Sequence, residues 1–115
     1  MVGVMILGII LISAGVLTVA LGIACRDGRL PMNGFVGIRI PSTMSDDETW
    51  TRSHQAAWRW IAIAGAGPGV SGIAVLALGD ESGVWAMAGT VWLLVFIIGA
   101  SVVASRVART RSSDL

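Results

Sequence analysis

The sequence is poor in charge, holds one cysteine and one histidine, and contains no lysine. Each shortage narrows what the chain can be. Charged residues make up 13% of the 115 residues, about half of the roughly 25% typical of a soluble domain. They fall in a few clusters and leave long tracts uncharged, so the apolar excess must meet something other than water. A formal net charge of +1 lacks the basic footprint of a nucleic-acid binder, and no nucleic-acid partner is expected. Cys25 alone can form neither an internal disulfide nor a multi-cysteine metal site. One His, one Cys and scattered carboxylates give no recognisable triad, metal set or phosphate loop. Neither catalysis nor a metal or other cofactor is expected. All basic residues being arginine reads as genomic composition bias.

What the chain has instead is apolar length. Apolar residues make up 55% and mean hydropathy is +0.81. The first uncharged tract covers residues 2–24; as a helix it would be roughly 34 Å long, enough for a ~30 Å hydrocarbon core. A second covers residues 57–78, with Arg59 near its start, where a long side chain can snorkel to the interface. A third covers residues 84–105, separated from the second only by Gly79-Asp80-Glu81-Ser82-Gly83, which predicts a tight antiparallel hairpin. Lipid offers no partner to irregular backbone, so helices are the expected spanning form. The expected fold is an all-α membrane protein in one domain, residues 1–115. It has three transmembrane helices, a loop over 25–56 containing a short cytoplasmic or interfacial helix, and a tail over 106–115.

The arginines orient the spans. Arg26, Arg29, Arg39 and Arg52 lie in the first connection, Arg106, Arg109 and Arg111 in the tail, and none in the second connection. With three crossings both basic groups fall on one face. The positive-inside rule puts that face in the cytoplasm, with the N-terminus and the acidic turn outside. Cys25 after Leu21-Gly22-Ile23-Ala24 has some look of a lipoprotein cleavage site. Against it, no basic segment precedes the tract, which exceeds the roughly 7–15-residue core of a secretory signal. Gly22 also stands where such sites usually have Leu, and a spanning helix is the expectation.

Gly8, Gly15 and Gly22 recur every seven residues and, with Leu11 and Thr18, form a narrow seam suited to close approach of another helix. Gly65 and Gly69 make a small-xxx-small pair around Pro68, where the missing donor predicts a kink, either packed against a neighbour or serving as a hinge or opened backbone that lines a site. Trp58, Trp60 and Trp85 sit near span ends, where indoles favour the interface, and Trp92 lies deeper as a packing residue. Ser13, Thr18, Ser71, Thr90 and Ser101 can bond their own helix backbone. No ionisable residue lies mid-span, which argues against proton-coupled transport.

Polar chemistry concentrates between Asn33 and Trp60. Residues 33–41 read as an extended loop punctuated by Gly and Pro, with a turn at Asn33-Gly34. Ser45 offers an N-cap with Glu48 three residues on, a capping box, and Asp46, Asp47 and Glu48 suit the positive first turn. A helix starting there carries Trp50, His54, Ala57 (or Trp58) and Ile61 on one stripe. It either lies along the interface or runs straight into the second span. Arg39 can pair bidentately with Asp46, Asp47 or a lipid phosphate.

The order Asn33, Gly37, Arg39, Pro41, Thr43, Ser45, Trp50, His54 resembles the signature of the SdpI family of bacterial membrane proteins, named for a toxin-immunity protein. The likeness covers about a quarter of the chain, and the flanking spans agree in hydropathy. Ile40 stands where the family usually has Thr, which removes a hydroxyl from the loop, and better-known immunity members are longer with more spans. The resemblance implies a multi-pass protein of the bacterial cell membrane with a shared cytoplasmic loop. Those eight residues become candidates for binding a partner or a lipid. Gly8, Gly15, Gly22, Gly65, Pro68 and Gly69 are candidates for helix packing.

The expected function is binding: immunity to, or sensing of, a membrane-active peptide toxin, with membrane lipids as surroundings. A cytoplasmic regulator and a homo-oligomer are further partner expectations. Alternatives are an accessory subunit of a larger membrane complex, for which the glycine seam is suited, and a small-molecule transporter, which would need to be an oligomer. The topology makes one prediction. A reporter fused at the C-terminus should be active in the cytoplasm, and one inserted at Glu81 should be active outside.

Overall fold

The computed structural model of the chain describes residues 2–33 and 36–113. It consists of three helices, α1 (Val2–Arg26), α2 (Asp47–Leu78) and α3 (Val84–Ser113), in a bundle measuring 56 × 21 × 20 Å. Each is long and apolar enough to cross a membrane. Their outer faces carry exposed large apolar residues such as Ile9, Leu17, Ile73, Leu94 and Ile98. In water such faces would be a liability; against acyl chains they need no cover.

α1 is uncharged until Arg26 and ends in a Schellman motif. The Gly28 amide donates to the Cys25 carbonyl and the Arg29 amide to the Ala24 carbonyl, with Gly28 in the left-handed region at φ +68°. α2 starts one residue later than the capping-box spacing predicts. Asp46, in extended conformation, accepts from the Thr49 amide at 2.6 Å, while Ser45 Oγ donates to the Ser42 carbonyl. A carboxylate is the stronger acceptor for an N-terminal amide. Glu48 is therefore not the reciprocal residue of a box and pairs instead with Arg52 at 3.2 Å.

The expected short helix between the first and second spans is not a separate element. The capped segment and the second span form one helix of 32 residues, roughly 48 Å long against a ~30 Å hydrocarbon core. Neither Gly nor Pro occurs between Asp47 and Ala64 to break it. Its first ten residues, with Asp47, Glu48 and Arg52, stand outside the apolar stretch that follows Arg59. The helix runs on through Pro68. α3 likewise continues past residue 105, so Arg106 and Arg109 are displayed on a helix. The turn expected at Asn33-Gly34 lies partly outside the described residues.

α1 and α3 both pack on α2 and hardly on each other. The heptad seam of α1 is filled by α2 of the same chain. A Cβ at Gly15 would come within 2.6 Å of the Gly65 carbonyl oxygen and of the Gly69 amide. One at Gly65 would meet the Gly15 carbonyl oxygen at 2.6 Å, and one at Gly72 the Gly8 carbonyl oxygen at 2.7 Å. The facing seam on α2 is thus Gly65 and Gly72, seven residues apart, whereas a Cβ at Gly69 would meet nothing. On the other side of α2, Pro68 and Ser71 back onto Gly89, and Trp92 lies over Gly67. Trp92 Nε1 donates to the Ile63 carbonyl at 2.8 Å. Thr18, Thr90 and Ser101 bond their own helices as expected. Ser71 differs: its hydroxyl donates across to the Trp85 carbonyl of α3.

The hairpin closes through Asp80. Its two carboxylate oxygens accept from the amides of Trp85 and Ala86 at 3.0 and 3.1 Å, capping α3 from the turn. At the opposite, arginine-rich end the 27–46 loop folds back over the bundle. Ile38 enters a core with Cys25, Ala57, Ile61, Ala100 and Ala104, filling the space between α1 and α3.

The seam makes a prediction with an internal control. Gly15→Val pushes a side chain into opposing backbone and should cost about 1–3 kcal/mol or more. Gly69→Ala points into open space and should leave stability unchanged or slightly raised. Thermal unfolding of the two variants in detergent measures the difference.

Candidate functional site

The loop is built around a pair of stacked rings. One turn apart on the buried stripe of α2, Trp50 and His54 stack with centroids 4.2 Å apart, and both are buried. Trp50 Nε1 donates to the Leu30 carbonyl at 3.0 Å, holding the start of the loop. His54 Nε2 lies 2.8 Å from the Ile38 amide and Nδ1 lies 2.7 Å from the Trp50 carbonyl. An amide must donate and a carbonyl must accept. The bonds therefore fix one neutral tautomer, with the proton on Nδ1.

Gly37 passes directly over these rings. A Cβ there would stand 2.9 Å from both His54 Nε2 and Trp50 Cζ2, and its φ of +114° is one L side chains rarely adopt. Close approach and backbone angle both require glycine. Thr43, fully buried, holds the other side. Its Oγ1 accepts from the Ile40 amide at 3.2 Å, and its one proton lies between the carbonyls of Ile38 (2.7 Å) and Ile40 (2.9 Å). Asn33 ties the entry, with Oδ1 accepting from the Val36 amide and Nδ2 donating to the carbonyls of Pro31 and Val36. Pro41 follows Ile40 at the second position of a turn closed by the Thr43 amide on the Ile40 carbonyl at 3.1 Å, a place its fixed φ favours.

Of the eight candidate residues, Asn33, Gly37, Thr43, Trp50 and His54 thus form one interlocked unit. Pro41 and Ser45 are exposed on its turn. Arg39 is different. Its neighbours Ile38 and Ile40 turn inward, to the core and onto its edge, and an extended chain then points the residue between them outward. Arg39 is exposed. The expected pairing with Asp46 or Asp47 is not formed, and among the described residues Arg39 has no carboxylate partner. Asp27 takes Arg26 and Arg29 instead, at 3.0 and 3.2 Å. The Arg26 guanidinium holds that exposed carboxyl below its ordinary pKa. Arg26 and Arg59 also flank the Trp58 ring, 5.4 and 5.8 Å from its centroid.

Ile38 is the anchor that the sequence reading missed. The alternation of Ile38, Arg39 and Ile40 was its available signal, apolar inward and charge outward. Among the described residues no group of three or more His, Cys, Asp or Glu converges as a metal site would require.

His54 makes the loop sensitive to acid. Burial pushes its pKa below the usual imidazole range, and the Trp50 carbonyl opposes this less strongly. Above about pH 6.5 the ring is neutral whether the loop is closed or open, and its contribution is complete. As pH falls below that value, the open form takes a proton that the closed form refuses, so protection is lost. Amide exchange at Ile38, corrected for intrinsic rates, should show this loss. His54→Gln should make protection independent of pH over the same range.

The family model of the SdpI/YfhL protein family matches residues 29–109, taking in the loop, α2 and nearly all of α3. No curated protein and no solved structure matches significantly.

Proposed function

The chain belongs to the SdpI/YfhL protein family, and from that membership and the loop geometry we propose that it protects against, or senses, a membrane-active peptide by binding, without catalysis. The observation that carries this reading is the presentation of Arg39. The Ile38 amide is held by His54, while the Ile38 carbonyl and Ile40 amide are held by Thr43. The peptide units flanking Arg39 are therefore fixed, while its guanidinium stands exposed at an end rich in positive charge. An exposed guanidinium carried on a held backbone suits recognition of a carboxylate or phosphate group.

The imidazole and the buried hydroxyls of this unit are committed to structure. Both ring nitrogens of His54 face backbone partners, and the hydroxyls of Thr43 and Ser53 donate to carbonyls. This supports binding over turnover. We place the protein in the bacterial cytoplasmic membrane with its arginine-rich end in the cytoplasm, following the charge asymmetry of its connections. The accessory-subunit alternative loses its main support, because the glycine seam is occupied by α2 of the same chain.

Resistance to membrane-active peptides in overexpressing cells tests the proposal. Protection should rise with expression, and the peptide should be recovered intact. Arg39→Ala should accumulate normally in the membrane, since the side chain has no partner among the described residues, yet lose protection. No protection against any such peptide, or cleavage of the peptide, would sink the reading.

A further inference from the structure

A second polar feature lies at the arginine-rich end, and it is independent of the toxin reading. A groove of about 510 Å³ runs between the loop and α3, walled by Ile40 and by a stripe of α3 that includes Ile98, Val102, Ser105, Arg106 and Arg109. Those positions succeed one another at helical spacing, so they share a face. Their chemistry changes along the helix axis. Ile98 and Val102 line the end toward mid-span, and Arg106 and Arg109 line the end where the apolar sequence of α3 stops. That is the height at which a bilayer changes from acyl chains to headgroups.

Between the two ends sits Ser105, 7% exposed, whose buried hydroxyl has no hydrogen-bond partner among the described residues. Two neighbouring hydroxyls on α3 donate to the carbonyl one turn back, Ser101 to Ile97 and Thr90 to Ala86. Ser105 departs from that habit, and leaving a buried hydroxyl unpaired is costly. It lines the groove, so rotation about its Cα–Cβ bond can present the hydroxyl there. None of the described residues lining the groove is acidic.

We propose that this groove binds an anionic phospholipid. The phosphate lies on the guanidinium groups of Arg106 and Arg109, which suit its oxygens bidentately. The Ser105 hydroxyl donates to a phosphate oxygen, and one acyl chain lies along Val102 and Ile98. Ile40 forms the opposing wall, so the bound lipid bridges the loop to α3. The apolar half of the groove sets this site apart from one for a free anion, which would need only the cationic half.

The test uses the full chain in mild detergent, titrated with phosphatidylglycerol, phosphatidylcholine or inorganic phosphate and followed by native mass spectrometry. Phosphatidylglycerol should bind saturably, one per chain, at least about tenfold more tightly than phosphatidylcholine, and inorganic phosphate should not displace it. Arg106→Gln should weaken binding about tenfold and Ser105→Ala about fivefold, the loss of a charged and a neutral contact respectively. Arg52→Gln, at the same end of the bundle but outside the groove, should leave binding unchanged. If Arg106→Gln fails to fold, Ser105→Ala still decides. An unchanged lipid affinity in Ser105→Ala would overturn the proposal. Equal binding of the two lipids, an equal effect of Arg52→Gln, displacement by inorganic phosphate, or a lipid-independent dimer covering the groove would each do the same.

Discussion

In a bilayer, two helices gain little by hiding apolar side chains from each other, because lipid tails are equally apolar. What holds α1 to α2 is backbone proximity. Gly8 and Gly15 on one helix and Gly65 and Gly72 on the other leave room for carbonyl oxygens and Cα atoms where side chains would otherwise stand. Dispersion contacts at that range, small singly, accumulate over the length of the seam. The rest of the architecture follows from it. With α1 bound to one side of α2 and α3 to the other, the two outer helices hardly meet, and the arginine-rich end has a gap that the connecting loop must close.

The loop closes it by burying Ile38 among Cys25, Ala57, Ile61, Ala100 and Ala104. Burying an extended segment brings backbone donors and acceptors with it, and each needs a partner away from water. Thr43, His54, Trp50 and Asn33 supply those partners. The polar residues of this segment thus have a physical account: they satisfy the backbone of a plug inserted into a three-helix bundle. The histidine is neutral because its two partners, one amide and one carbonyl, demand one donor and one acceptor. Arg39 sits outside the plug, and Arg106 and Arg109 continue α3 beyond its apolar stretch, so positive charge faces the interface from two directions.

How much of this was legible depended on the range of the interaction. The three spans, the Gly79–Gly83 hairpin and the Trp50, His54, Ala57, Ile61 stripe follow from runs and spacings along a single segment. Local competition was harder to read. Ser45 and Asp46 are both good caps, one residue apart, and the Thr49 amide goes to the carboxylate. The separate interfacial helix failed for a related reason, since charge at Arg52 and Arg59 marks where a helix leaves lipid without requiring it to stop. Pairings across the fold were least legible. Charge alone matches Arg39 to Asp46 or Asp47, whereas inward Ile38 and Ile40 turn it to solvent.

Sequence by itself determined that this chain lives in a membrane, that it crosses as three helices, and that its polar chemistry gathers between the first two. Those are consequences of hydropathy and period, which need no knowledge of neighbours. Only the tertiary structure decided that the α1 seam is answered by Gly65 and Gly72 rather than by another protein. It also decided that His54 serves the Ile38 amide sixteen residues away, and that Ser105, beside two arginines, has a hydroxyl unpaired among the described residues. Each of these depends on which backbone groups meet across helices, and that is fixed by packing in three dimensions.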